Sequence, residues 1–180
     1  MIREVSNGLT MILPVVAMIR GSPRNIFGYT SVLGTTCNAM ASCAYHLSCA
    51  AKLNADPVNC VARKLDQTFI HVACIFHSYG ASKSIHYAAL NGAINTRFIR
   101  LLWKSGTHDT PKARRFRVFL AFVLYVTPII LRDVKSGMHI VCILLLSSGA
   151  FIFDKLLGGM GHSMFHVGLG LFSRELARAL

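Results

Sequence analysis

Seven apolar stretches, separated by basic, glycine or proline residues, follow one another along this chain. A transmembrane α-helix needs about 20 apolar residues, with about 17 as a practical lower limit. We therefore predict seven membrane-spanning helices, at residues 5–19, 26–51, 65–82, 84–103, 118–131, 137–153 and 161–180. The first and the last are shorter than ideal, which leaves six crossings as an alternative. The segment 104–117, which is rich in Lys and Arg, is predicted to be a solvated loop.

The composition favours lipid over water as the solvent. Hydrophobic residues make up 53% of the 180 residues and charged residues only 14%, whereas roughly a quarter of the residues in soluble domains are charged. The mean hydropathy is +0.51. A chain of this kind lacks the polar surface that a soluble monomer needs. We predict an all-α, polytopic membrane helical bundle that forms a single domain over residues 1–180.

The charge distribution predicts the orientation of this bundle. Lys and Arg total 19 against 7 Asp and Glu, which gives a net charge of +12. The basic residues lie between the apolar runs, and the larger share falls on the side that holds the N-terminus, so we expect that side to be cytoplasmic. Basic stripes interleaved with aromatic residues, which are typical of nucleic-acid binding, are missing from the sequence, and no nucleic-acid partner is predicted.

Five polar residues inside the predicted spans are candidates for function, because ionisable groups are costly in a bilayer. Ser42 and His46 are four residues apart in the second span and share a helix face. His162 and His166 repeat this spacing at the start of the seventh span, and Asp66 opens the third. Because successive spans run in opposite directions, all five are expected at the same depth, near the inner end of the bundle.

Three imidazoles and a carboxylate at one depth indicate a divalent-metal site. A catalytic zinc takes three protein ligands and leaves a fourth position open, and histidines at i and i+4 can bind from one helix turn. Simpler roles stay open for each residue. Ser42 could pack between helices, Asp66 could pair with Arg63 or Lys64, and the histidines could form hydrogen bonds near helix ends. The other histidines are predicted to pack against neighbouring spans, to lie near the opposite interface or to lie in a loop.

The same five positions carry a resemblance to a known group. Ser-x3-His in the second span, Asp at the start of the third and His-x3-His in the seventh resemble the CREST superfamily of seven-span metallohydrolases, which includes alkaline ceramidases and the progestin and adiponectin receptors with their haemolysin III relatives. The resemblance implies that His46, His162 and His166 hold Zn2+ and that Asp66 and Ser42 act in catalysis. The residues after Asp66, "QTFIH", match neither branch, so the branch stays open.

Two functions follow as expectations. The first is an integral membrane zinc-dependent hydrolase that cleaves an amide or ester bond of a membrane lipid, either a sphingolipid or a phospholipid. The second is a seven-span receptor or regulator that keeps the metal without turnover. A haem protein is less consistent with the sequence, because His162 and His166 lie on one helix turn and cannot be opposite axial ligands. The sequence leaves the oligomeric state open.

Overall fold

The computed structural model describes residues 2–104 and 110–180 as helices joined by short connections. The helices are α1 (Ile2–Thr10), α2 (Ile12–Gly21), α3 (Ile26–Ala50), α4 (Val61–Ser82), α5 (Ile85–Trp103), α6 (Pro111–Arg132), α7 (Val134–Ile152) and α8 (Gly161–Ala179). This part of the chain contains no β-strand. The predicted all-α fold is confirmed. Because α1 and α2 together occupy the place of the first predicted span, the helices follow the seven apolar stretches in order.

The largest difference from the predicted boundaries is at the start of α6. This helix begins at Pro111, seven residues before the predicted span at 118–131, so the prediction of a loop was wrong for residues 111–117. The Thr110 hydroxyl accepts a hydrogen bond from the Ala113 backbone N–H at 3.2 Å, and proline at the first helical position needs no such partner. Lys and Arg are good helix formers, so the basic run extends the helix. Residues 105–109 of the predicted loop lie outside the described residues.

Pro14 accounts for the break between α1 and α2. A proline inside a helix has no N–H to donate to the carbonyl four residues earlier, and its ring clashes with that carbonyl. The carbonyl in question belongs to Thr10, the last residue of α1. The interruption at Met11 follows from this, and it makes α1 a separate segment whose first turns lie over one end of the bundle.

Pro128 creates a similar gap inside α6, and a neighbouring helix fills it. Because Pro128 has no N–H, the Leu124 carbonyl lacks the i to i+4 hydrogen bond that it would otherwise accept within α6. The Tyr87 hydroxyl of α5 donates to this carbonyl at an O···O distance of 2.5 Å. A side chain from α5 thereby compensates for the missing helical hydrogen bond and ties α5 to α6.

Asp133 begins α7 as its N-cap. Its carboxylate accepts hydrogen bonds from the backbone N–H groups of Lys135 and Ser136, and the Ser136 hydroxyl donates to it at 2.6 Å. These bonds, first of all that from the Ser136 hydroxyl, lower the pKa of the exposed Asp133 carboxyl from its usual value of 3.8. The charged form is therefore the one that caps the helix.

The apolar core is centred away from the helix ends that carry the predicted site. Met18, Tyr125, Val126, Ile140 and Leu176, from α2, α6, α7 and α8, are among its buried members. Helices α7 and α8 approach closely, since a Cβ atom on Gly168 would lie 2.0 Å from the Ser147 hydroxyl oxygen. This close approach fixes α8, which carries two of the predicted ligands.

The outer surface is strongly apolar. Leu145 and Leu146 of α7 are 58% and 78% exposed, and large hydrophobic side chains on other helices are exposed as well. Within the described residues, two helical stretches are long and apolar enough to cross a membrane, namely Ile2–Gly21 and Val134–Ile152. An exposed apolar surface of this extent is typical of proteins that contact lipid or another protein.

Candidate metal centre

Three histidines meet at one end of the bundle. His46 lies in the last turns of α3, while His162 and His166 lie in the first turns of α8. One ring nitrogen from each lies within 4.8 Å of the others. The ring centroids are 4.8 Å apart for His46 and His162, and 4.7 Å apart for His162 and His166. Residues separated by more than a hundred positions in sequence thus form one nitrogen cluster.

His46 has one ring nitrogen that is paired and one that is not. Its Nδ1 lies 2.7 Å from the Glu4 carboxylate Oε2, and its Nε2 is buried and makes no hydrogen bond. The imidazole is only 2% exposed. Burying a polar atom without a partner costs about 1–3 kcal/mol. A metal ion bound by Nε2 would remove this cost, so the local geometry fits a metal ligand.

His166 is oriented in the same way by α1. Its Nδ1 lies 2.8 Å from the Asn7 backbone carbonyl and 3.1 Å from the Thr10 hydroxyl. Because a carbonyl oxygen can only accept, Nδ1 carries the hydrogen and Nε2 keeps its lone pair. His162 packs edge-on against Phe151, with ring centroids 5.1 Å apart. The cluster can therefore offer neutral imidazole nitrogens, the form that binds metals.

Asp66 and Ser42 are both buried, each 5% exposed. Asp66 is in the second turn of α4, and the Ser42 side chain of α3 is close enough to influence its carboxylate. The Arg63 guanidinium donates to its Oδ2 at 3.2 Å. The Asp66 carboxylate is also close enough to His46 to interact electrostatically. The structure thus brings together all five residues singled out from the sequence, while their catalytic or ligand roles stay predictions.

The contribution of α1 was missed at the sequence level. The first predicted span began at residue 5, so Glu4 was left outside it, and Asn7 gave no signal within it. In the structure Asn7 is 1% exposed and accepts a hydrogen bond from Ser163 at 2.7 Å. Arg3 forms an ion pair with Asp154, just before α8, at 2.5 Å. An acidic residue at the edge of an apolar run was the signal available, because such residues are costly near lipid.

Two other buried histidines lie outside the cluster. His71 Nδ1 lies 2.8 Å from the Asn95 side-chain oxygen of α5, and His77 Nε2 lies 3.4 Å from the Thr35 hydroxyl of α3. These contacts join neighbouring helices, as predicted for histidines in packing roles. They provide matched controls for substitutions in the cluster.

An apolar groove of about 340 Å³ lies between α3 and α4, close to the cluster. The Tyr45 ring, which lines it, is 5.0 Å from the His46 ring and carries the Arg63 guanidinium at 4.9 Å from its centroid. Tyr45 therefore contacts both the groove and the ring of His46. The lining residues are Cys37, Met40, Ala41, Ala44, Tyr45, Ala62, Leu65 and Phe69.

The cluster has the donor set of a three-histidine metal site. Imidazole nitrogens suit zinc and other borderline divalent ions, and three protein ligands leave a coordination position free. The donors here come from α3 and α8, with hydrogen bonds from α1 setting two ring orientations. Comparison with family models, curated proteins and solved structures found no match to this chain.

Proposed function

We propose that this protein is a polytopic integral membrane hydrolase that uses zinc to cleave an amide or ester bond of a membrane lipid. The observation that carries the proposal is the convergence of His46, His162 and His166, with ring nitrogens within 4.8 Å of one another and His46 Nε2 buried without a partner. A bound zinc ion supplies a water of lowered pKa, about 7, and polarises a carbonyl. His46, His162 and His166 would hold the ion.

Asp66 has the position expected of a general base. Its carboxylate is buried beside His46, so it can accept a proton from an attacking water. Ser42 lies close to this carboxylate and would help to orient it. A carboxylate in the interior also supplies negative charge close to a site that would hold a dication.

A lipid substrate is supported by the surroundings of the site. The groove between α3 and α4 is lined almost entirely by apolar side chains, which suit an acyl chain. At its polar end Arg63 stacks on Tyr45, so a phosphate or other anionic group of the lipid would meet a cation there. The scissile bond of a membrane lipid lies just below the headgroup, a depth that suits residues at one end of a bundle.

The seven-crossing arrangement with a cytoplasmic N-terminus belongs to the same proposal. It is supported by the order of the helices, by the exposed apolar surface and by the excess of Lys and Arg on the N-terminal side. Glycosylation sites inserted into successive connections would test it. We expect modification at alternate connections, beginning with the one that joins α2 to α3, and modification at adjacent connections would contradict the arrangement.

One contact favours the second function, a metal-containing receptor or regulator. Arg63 pairs with Asp66 at 3.2 Å and thereby occupies an oxygen that a general base would use. In that case the protein would bind metal without hydrolysing lipid. The two functions differ in turnover and not in metal content, so they can be separated by one set of variants.

The test compares the detergent-purified wild type with His162→Ala and Asp66→Ala, and with His77→Ala as a buried control outside the cluster. We expect about one zinc per chain in the wild type and in His77→Ala, and loss of zinc in His162→Ala. Hydrolysis of fluorescent ceramide or phospholipid should be lost in both His162→Ala and Asp66→Ala. Hydrolysis retained by both variants would reject the catalytic assignment, and zinc without any hydrolysis in the wild type would favour the receptor.

A further inference from the structure

Glu4 makes the shortest polar contact to the histidine cluster. Its Oε2 lies 2.7 Å from His46 Nδ1, within the range of a charge-assisted hydrogen bond. The Glu4 side chain is 32% exposed, whereas His46 is 2% exposed. The carboxylate therefore reaches the surface, while the imidazole that it contacts is enclosed.

The contact determines which nitrogen of His46 is free. With the carboxylate oxygen as acceptor at 2.7 Å, Nδ1 carries the hydrogen that is donated to Glu4. The lone pair is then on Nε2, which is buried and has no hydrogen-bond partner. His46 is one of three histidines that each place a ring nitrogen within 4.8 Å of the others, and Nε2 is the nitrogen that the Glu4 contact leaves for a metal. The ring is thereby held in the tautomer and the orientation that a metal ion requires.

We propose that Glu4 is a positioning residue of the metal centre, which orients His46 and raises the basicity of its Nε2. This inference rests on the proposed metal centre and adds a residue that lies on a different helix from the ligands. Carboxylates that accept a hydrogen bond from a ligating histidine fix its ring and strengthen its bond to the metal, and losing them typically costs about 10–100-fold in affinity. Glu4 also adds a negative charge beside a site for a dication.

The role of Glu4 can be separated from the docking of α1. Helix α1 is also held by the Arg3 ion pair with Asp154 and by the Asn7 side chain, which accepts from Ser163. Arg3 is the neighbour of Glu4 on the same turn, but it pairs with Asp154 in the connection before α8 and, among the described residues, makes no hydrogen bond to a histidine. Arg3→Ala is therefore a matched control that weakens docking without removing the contact to His46.

The experiment measures metal affinity of the full-length, detergent-purified chain by competition with a chromophoric chelator, with Zn2+ and with Co2+. We expect Glu4→Ala to bind about 10–100-fold more weakly than the wild type. Glu4→Gln keeps an acceptor oxygen but loses the charge. Its metal affinity should therefore lie between those of Glu4→Ala and the wild type, about 3–10-fold below the wild type. Arg3→Ala should stay within about twofold. At saturating Co2+ all variants should show the same visible spectrum, because the ligands are unchanged.

Each other result rejects the inference in a distinct way. Affinities of Glu4→Ala and Glu4→Gln within about twofold of the wild type would reject a positioning role, and if Glu4→Ala does not fold, Glu4→Gln alone decides. An equal loss in Arg3→Ala would show that only the docking of α1 matters. A changed Co2+ spectrum in Glu4→Ala would make Glu4 itself a ligand. Wild-type protein that binds neither ion would reject the metal centre and this role with it.

Discussion

Zinc should raise the thermal stability of the folded protein, and the substitution His162→Ala should abolish that effect. A metal that binds only the folded state at 100 times its dissociation constant stabilises that state by about 2.7 kcal/mol. For a chain of 180 residues, each kcal/mol corresponds to about 2–4 °C in Tm. The expected rise is therefore about 5–11 °C. It reflects metal bonds to imidazoles that the fold already holds together, including the unpaired Nε2 of His46.

The assay is thermal unfolding in detergent with zinc and with a chelator. The quantity of interest is the difference in Tm between the two conditions, so any change that a substitution causes in the metal-free protein cancels. His77→Ala is the control, because its imidazole is buried but contacts Thr35 and not the cluster. It should keep the full zinc effect. A rise of equal size in His162→Ala and the wild type would refute the reasoning, because zinc would then bind elsewhere.

Three further predictions concern the fold. Gly168→Ala should lower the free energy of unfolding by about 1–3 kcal/mol, because the added Cβ would overlap a side chain of α7. Gly149→Ala is the control, since its Cβ would meet no atom within 4 Å. Equal thermal unfolding of the two variants would contradict the predicted overlap. Tyr87→Phe should lower the free energy of unfolding by about 1–3 kcal/mol in the wild type. The loss should be smaller in a Pro128→Ala background, where the helical hydrogen bond is restored, and a double-mutant cycle measures the difference. An equal loss in both backgrounds would rule out the compensation. Because the pKa of Asp133 is lowered from 3.8, its contribution to stability should be complete at neutral pH. This contribution should fade as the pH falls below 3.8 and through the lower folded-state pKa. The stability of Asp133→Ala should therefore depend less on acid pH than that of the wild type, and an unchanged acid dependence would argue against the capping role.

The helices could be predicted from the sequence because each forms a long, mainly apolar stretch between basic, glycine or proline residues. The order of elements and most boundaries follow from that pattern. The start of α6 could not be predicted in the same way. The basic residues 111–117 are polar enough to suggest a loop, although Lys and Arg favour helix. Within the described residues, only Ile2–Gly21 and Val134–Ile152 are long and apolar enough by themselves to cross a membrane, so the number of crossings stays a prediction. The other helices carry polar residues that face their neighbours.

The three clustered histidines could be selected because helical spacing and the predicted alternation of span direction put them at one end of the bundle. Spacing predicts which residues share a helix face, but it does not predict which residues touch when two helices are distant in sequence. Glu4 and Asn7 were therefore missed, since their partners His46 and His166 are 42 and 159 residues away. The pairing of Asp66 with Arg63, by contrast, was among the local alternatives, because the two residues are three positions apart.

The contacts of α1 have a consequence for how the protein is made. The first helix leaves the ribosome long before the last one, yet the Asn7 carbonyl meets His166 159 residues later. Until α8 has been synthesised, Glu4 and His46 can meet, but the cluster has only one of its three imidazoles. Contacts that close long loops form late in folding. An ion in the proposed centre could therefore bind only after α8 has been made, and a chain that stalls before residue 161 could not hold zinc at this position.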